Sequence, residues 1–299
     1  MDKIKIGLYG LGNISVRVIQ GIAYCKNARL YAVCSRNMDK ANDFKEKFHA
    51  AKAYDVYEEM LMDKDVDLIY ICTPNYLHKE HILQALKHSK HVVCEKPMCI
   101  SSQDLKECFQ KSREMDCFLM EAHKCAFTPL NIKIKKMISE GKIGDVVSIE
   151  AQYATKLISE ISSWHYDKPG AGCMFDIGVY PICLANLMAD SQIKRVSRFL
   201  DQALIEYENG CVAHIATSWD CTMENTAHIY GTKGTITYKN FWKTNECMLN
   251  DEIITVDQDS DFTGEIEHAC TCIQSGMLES PIMSYKASFE ILKVVESQQ

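Results

Sequence analysis

The chain has 299 residues, room for two domains of about 150 each, and its 47% hydrophobic and 24% charged residues are an ordinary globular balance. A formal net charge of −7 argues against a nucleic-acid binder, and no run approaches the roughly 18 unbroken apolar residues of a membrane helix. The 15 cysteines are odd in number and contain no CxxC pair; Cys270-Thr271-Cys272 has no histidine at finger-like spacing, so no metal is expected.

The N-terminus, Met1-Asp2-Lys3-Ile4-Lys5-Ile6, alternates charge and aliphatic residues and runs straight into a strand, without the apolar core of a signal peptide. Small buried thiols in a reducing cytosol fit that picture, and a cytoplasmic location is expected. Over the first 120 residues, strand patterns at 3–9, 29–35, 68–72, 91–94 and 117–121 alternate with helical patterns at 14–24, 38–48, 57–62, 79–88 and 101–114. Short aliphatic strands separated by helices imply βαβ units and a doubly wound parallel sheet, an α/β domain over 1–122.

The first strand ends in Gly10-Leu11-Gly12-Asn13-Ile14-Ser15 and a helix follows directly. Gly10 and Gly12 supply the tight turn and close backbone approach that a pyrophosphate needs, and the helix start at Asn13 and Ile14 offers free amides. Ser15 stands where a third glycine or alanine would let helix and strand pack closely. At the end of the second strand stand Ser35 and Arg36, with no carboxylate to hold a free ribose 2′-hydroxyl. An arginine there suits the 2′-phosphate of NADP, while Asp39 nearby leaves NAD open. Thr73-Pro74-Asn75 follows the strand at 68–72, another carboxyl end on the crevice side. His78 and His81 open the next helix and read as polar caps outside the chemistry. The strand at 91–94 stops at Glu95-Lys96-Pro97, because proline gives the ladder no amide proton. Lys96 therefore stands at a strand tip, the edge of a ligand crevice in such a sheet.

From 123 to 299 the pattern changes to a second domain. After a helix at 130–139, alternating strands dominate at 146–153, 197–200, 203–207, 212–218, 226–230 and 235–239. Glu208-Asn209-Gly210 and Gly231-Thr232-Lys233-Gly234 are connections too short for helical crossovers, so this sheet is expected to be largely antiparallel. A helix at 173–188 interrupts it and another closes the chain at 285–296. The first of these carries Asp176 and Tyr180, four apart and so on one face of an α-helix. Oxidising a secondary alcohol needs a base for the hydroxyl proton. A tyrosine has a pKa near 10, and a neighbouring ammonium such as that of Lys96 favours its charged form. Lys96 can also polarise the substrate oxygen, and Asp176 can orient the lysine or a substrate hydroxyl.

These motifs resemble the Gfo/Idh/MocA oxidoreductases. The resemblance rests on Gly10 to Ser15, on Ile71-Cys72-Thr73-Pro74-Asn75-Tyr76-Leu77-His78, on Glu95-Lys96-Pro97 and on Gly170-Ala171-Gly172 through Tyr180. The run Asp176-Ile177-Gly178-Val179-Tyr180-Pro181 is similar to the dihydrodiol dehydrogenase-like branch. The likeness implies a Rossmann domain followed by an α+β domain with an open-faced sheet, whose open face joins two or four copies of the chain. It also implies a lysine at the position of Lys96 near substrate and nicotinamide. The expected cofactor contacts are Gly10, Gly12, Asn13, Ile14, Ser35, Arg36, Thr73, Pro74, Asn75, Glu95 and Lys96; the expected substrate contacts are Lys96, His165, Asp176 and Tyr180. Ala126 departs from the branch, where an arginine is usual, and His123 and Lys124 stand where apolar or aromatic residues are common. The expectation is an NADP-preferring oxidoreductase of a small sugar, polyol or diol-like molecule, catalysed by Lys96, Asp176 and Tyr180. The competing expectation is a non-catalytic NADP-binding sensor on the same fold.

Overall fold

The computed structural model describes residues 2–157 and 167–297, and the chain divides into two units, one of Met1–Ala122 with Phe262–Tyr285 and one of His123–Asp261 with Lys286–Gln299. In the first unit the strands are β1 (Ile4–Tyr9), β2 (Ala28–Cys34), β3 (Lys52–Tyr54), β4 (Leu68–Ile71), β5 (His91–Glu95) and β6 (Leu119–Ala122). The helices between them are α1 (Asn13–Tyr24), α2 (Met38–Phe48), α3 (Tyr57–Met62), α4 (His78–Lys87) and α5 (Ser102–Glu114). Every pairing is parallel and the strand order is β3-β2-β1-β4-β5-β6. Helices on both faces of a parallel sheet require strands that are apolar on both sides. All four residues of β4 are completely buried, as are Ile6, Leu8, Val92 and Val93. The order reverses between β1 and β4, the switch point where such sheets bind their ligands.

The sequence expectation put a single boundary at 122/123, but Phe262–Tyr285 groups with the first unit. Its helix α8 (Thr263–Gln274) buries Ile266, Ala269 and Cys270. Lys26 N–H donates to Glu267 Oε1 at 2.7 Å, and Asn27 Nδ2 donates to the Glu267 carbonyl at 2.9 Å. The three-residue β3, with an exposed lysine and two half-buried residues, also lay outside the predicted strands.

In the second unit, α6 (Pro129–Ser139) starts where the Thr128 hydroxyl accepts from Asn131 N–H and proline occupies the first turn. The sheet contains β7 (Val146–Ala154), β8 (Ile193–Phe199), β9 (Gln202–Tyr207), β10 (Val212–Ser218), β11 (Thr226–Gly231), β12 (Thr235–Lys239), β13 (Glu246–Leu249) and β14 (Glu252–Thr255). Their order is β14-β13-β12-β11-β7-β10-β9-β8, and all neighbours are antiparallel except β7 and β10. One face is covered: Ile149, Ala151, Ile205, Ala213 and Ile215 are buried there, while Glu150, Leu204 and His214 on the other face are exposed. Helix α7 (Val179–Ala189) packs on β7 and is buried nearly all round, from Tyr180 to Met188. The predicted single helix over 173–188 is instead a π-helical turn, Met174–Gly178, followed by α7. No helix among the described residues is long and apolar enough to cross a membrane.

Candidate functional site

Three strand ends of the first unit are sewn together where the glycines stand. Gly10 N–H donates to the Cys34 carbonyl at 3.1 Å, and Cys72 N–H donates to the Tyr9 carbonyl at 2.7 Å. Gly10 has φ +93°, and a Cβ placed on it would lie 2.8 Å from the Cys72 carbonyl carbon and oxygen. Only glycine fits. Gly12 differs, because a Cβ there would meet nothing within 4 Å. Helix α1 begins after Gly12 with no side-chain cap and no acidic residue in its first turn. Gly12 and Asn13 are exposed at the start of this helix, and its leading amides have no side-chain cap. That is the form an anion site takes at a helix N-terminus, so these residues fit a dinucleotide pyrophosphate.

Ser35 and Arg36 follow β2. Ser35 N–H donates to the Tyr54 carbonyl at 3.1 Å, and Arg36 is exposed. Asn37 caps α2 by accepting from Lys40 N–H. The Arg36 charge acts on two neighbours, opposing the burial that raises the Tyr9 phenol and adding to the burial that holds His81 neutral, at a pKa of about 4. Tyr9 stacks on Tyr57 with ring centroids 3.8 Å apart, and His81 stands edge-on to Tyr9 at 4.8 Å. The His81 Nδ1 lies 2.9 Å from the Thr73 hydroxyl, so His81 supports the β4 turn instead of capping its helix. Thr73 and Pro74 are half-buried and Asn75 is buried.

Glu95 ends β5 and is buried, accepting from the Tyr70 hydroxyl at 3.0 Å. Lys96 follows at the strand tip, half-buried, with a cis peptide bond to Pro97. Met98 N–H donates to Glu121 Oε1 at 3.0 Å, which ties the turn to β6. His78 also reaches this turn: Nδ1 is 2.9 Å from the Pro97 carbonyl and Nε2 is 2.7 Å from the Thr73 carbonyl. Burial pushes its pKa down to about 4, against the pull of the two carbonyls, which favour the charged ring. Burial dominates, since the residue is only 1% exposed.

A pH dependence follows from these two rings. Folded, His78 and His81 titrate near 4, while in the unfolded chain they titrate near the ordinary 6.5. Between those values the unfolded state binds more protons. Stability is therefore full above about pH 6.5 and falls as pH drops, by up to about 3 kcal/mol per ring near pH 4. Urea unfolding of the protein at about pH 7 and about pH 5 should give a lower midpoint at the acidic pH. A midpoint that does not move would mean the rings are charged in the folded state.

In the second unit, Asp176 lies in the π-helical turn and is half-buried, while Tyr180 lies in α7 and is buried. The one-face expectation assumed α-helical spacing throughout, and the turn that carries Asp176 is π-helical. The sequence did not reveal what surrounds Tyr180. Tyr153 and Trp242 stack with centroids 3.8 Å apart and lie 5.7 and 6.3 Å from the Tyr180 ring, and His123 meets it edge-on at 5.5 Å. Tyr153 shares the covered face of β7 with Ile149 and Ala151, a parity readable from alternation. Trp242 follows β12, and no pattern foretold it. Lys124 is buried in an ion pair with Asp261. His165 lies outside the described residues.

Residues 4–123 match the family described as an oxidoreductase family with an NAD-binding Rossmann fold, and residues 132–237 match the GFO/IDH/MocA C-terminal domain. The chain is 28% identical over 290 residues to the trans-1,2-dihydrobenzene-1,2-diol dehydrogenase of Mus musculus, covering 90% of this chain and 87% of that one. A 3-ketoreductase from Actinomadura kijaniata, solved in complex with NADP and TDP-benzene, matches with a TM-score of 0.85 at 25% identity, over 99% of this chain and 96% of its own. The aldose-aldose oxidoreductase of Caulobacter crescentus, complexed with glycerol, has the same fold, with a TM-score of 0.88 at 21% identity over 98% and 96% of the two chains.

Proposed function

Because the chain belongs to the GFO/IDH/MocA oxidoreductase family, we propose that it is an NADP-preferring enzyme moving hydride between the nicotinamide and a secondary alcohol or carbonyl of a sugar, polyol or diol-like compound. The observation that carries this reading is Lys96 at the tip of β5, in the same unit as the open glycine turn at Gly12. The named relatives act on a diol, a ketone and an aldose, all compounds that interconvert a CH–OH and a C=O group. The nicotinamide supplies or accepts the hydride. Lys96 polarises the substrate oxygen. In oxidation the hydroxyl proton passes to Tyr180; in reduction Tyr180 returns it. Asp176 orients a substrate hydroxyl. Such acid–base help contributes on the order of 100- to 10,000-fold. The stacked Tyr153 and Trp242 offer Tyr180 an aromatic, water-poor surrounding that suits the carbon skeleton of the substrate. The reading is tested by following nicotinamide absorbance with NADPH and NADP⁺ against sugars, inositols, diols and dicarbonyls. Tight NADPH binding without turnover of any of them would favour the sensor.

Arg36 gives the cofactor preference. A hydrogen bond to a charged group contributes about 1.5–3 kcal/mol, so Arg36→Gln should raise the KM for NADP by about 10- to 100-fold and that for NAD by less than about twofold. Equal changes for the two cofactors would remove the 2′-phosphate assignment. All 15 cysteines are free thiols, which suits a cytoplasmic, reducing compartment. The open face of the second sheet, with Leu204 40% and Ile253 62% exposed, is the surface through which two or four copies associate. Sedimentation equilibrium should show an oligomer that Leu204→Asp dissociates, and a monomeric wild type would sink the assignment.

A further inference from the structure

His78 is the first residue of α4, yet it does not cap that helix, whose N-terminus has no side-chain cap. Its partners lie elsewhere. The β4–β5 ladder runs as far as Ile71 opposite Cys94, and beyond it the two strands part and end in separate turns. One turn carries Thr73, Pro74 and Asn75; the other carries Lys96 and Pro97. The buried imidazole spans them, with Nε2 2.7 Å from the Thr73 carbonyl and Nδ1 2.9 Å from the Pro97 carbonyl.

We propose that His78 is a positioning residue, a rigid strut that fixes the Lys96–Pro97 turn against the Thr73–Asn75 turn and thereby sets where the Lys96 ammonium stands. The inference deepens the function proposed above and rests on the role given there to Lys96. A planar ring reaches both turns from one fixed position, which no flexible side chain does as stiffly. Burial keeps the ring neutral, so its one N–H donates to only one of the two carbonyls, and we place it on Nδ1, toward Pro97. The bond that matters for Lys96 is the one to Pro97, directly after it in the chain. A catalytic group displaced by about 1 Å can lose about 100-fold in rate, which makes a strut of this kind worth its buried polar atoms.

The amide side chains separate the two contacts. Asn places its nitrogen close to the position of the imidazole Nδ1, and Gln places its nitrogen close to that of Nε2. His78→Asn can therefore keep a donor toward Pro97, His78→Gln keeps one toward Thr73, and His78→Leu keeps neither. With the substrate found by the panel above, His78→Leu and His78→Gln should each lose about 100-fold in kcat, with NADPH affinity changed by less than about threefold. His78→Asn should stay within about tenfold of wild type. If kcat is unchanged in His78→Leu, or if Asn does no better than Gln, or if the losses track NADPH affinity across the series, the strut is wrong. Should the leucine variant fail to fold, the Asn and Gln comparison decides alone. Crystal structures of NADPH-bound wild type and His78→Gln keep this separate from the reading of function. A Pro97 carbonyl shifted by about 1 Å in the variant supports the strut even if the wild type turns over none of the panel, and an unmoved turn overturns it.

Discussion

Lys96→Met should lower turnover by about a thousandfold while NADPH affinity changes by less than about twofold. Methionine keeps the length and apolar stem of the lysine and removes only the ammonium. The turn that carries it is held by contacts the substitution leaves alone: Met98 N–H on Glu121, and the His78 ring against the Pro97 carbonyl. The strand before it, with Val92, Val93 and Cys94 completely buried, does not depend on the side chain of residue 96. Fold and cofactor site should therefore survive, and in the proposed mechanism what is lost is the positive charge beside the reacting oxygen. The loss should appear in kcat, since polarisation grows as charge develops on that oxygen and is stronger in the transition state than in the ground state. Steady-state kinetics and an NADPH fluorescence titration on the same preparation measure the two quantities. Turnover at the wild-type rate would remove the mechanism, and a parallel loss of NADPH affinity would make Lys96 a cofactor residue and no more.

The doubly wound sheet was legible because parallel strands buried on both faces must be written as apolar runs, and Leu68 to Ile71 and Val92 to Cys94 are written that way. The hairpins of the second sheet were legible from their turns: Gly210 N–H closes on the Tyr207 carbonyl and Gly231 N–H on the Gly234 carbonyl. What escaped was either short or non-local. The strands β3, β13 and β14 have three or four residues each, too few for a period to declare itself. Helix α8 opens on Thr263-Gly264 and carries Thr271 between two cysteines, all weak helix formers; it exists because its apolar face is buried in the first unit. The π-helical turn at Asp176 has the same origin, since local pattern cannot distinguish 3.6 residues per turn from a wider coil. At the candidate site, the glycine turn at Gly10 and Gly12 and the strand-tip position of Lys96 were readable because they are set locally. The roles of His78 and His81 were not, because each is defined by partners the chain delivers from another strand end or turn: Pro97 for His78, Thr73 for both.

Gly10→Ala and Gly12→Ala should fail in opposite ways, although the two residues are one position apart. At Gly10 the added methyl would sit 2.8 Å from the Cys72 carbonyl carbon and oxygen and 2.9 Å from the Thr73 amide nitrogen, at a φ of +93° that alanine rarely adopts. Those neighbours are main chain, held by the Cys72 N–H bond to Tyr9, so they cannot swing aside as a flexible side chain would. The strain should cost about 1–3 kcal/mol of stability, and the β1–α1 turn that deforms to relieve it should lose NADPH affinity as well. At Gly12 the backbone is extended, with φ −86° and ψ −169°, and the methyl would enter open space. Stability should change by less than about 1 kcal/mol, the difference between glycine and alanine as a helix cap. NADPH affinity should nonetheless fall by about tenfold or more, because the space the methyl fills is the one the pyrophosphate needs for close approach to the backbone. Urea unfolding and NADPH titration of both variants separate the two demands. If Gly12→Ala binds NADPH as the wild type does, the pyrophosphate does not lie against the start of α1, and the opening at Gly12 has some other cause. If instead stability holds and affinity drops, the fold itself requires only Gly10, and Gly12 is kept for the cofactor.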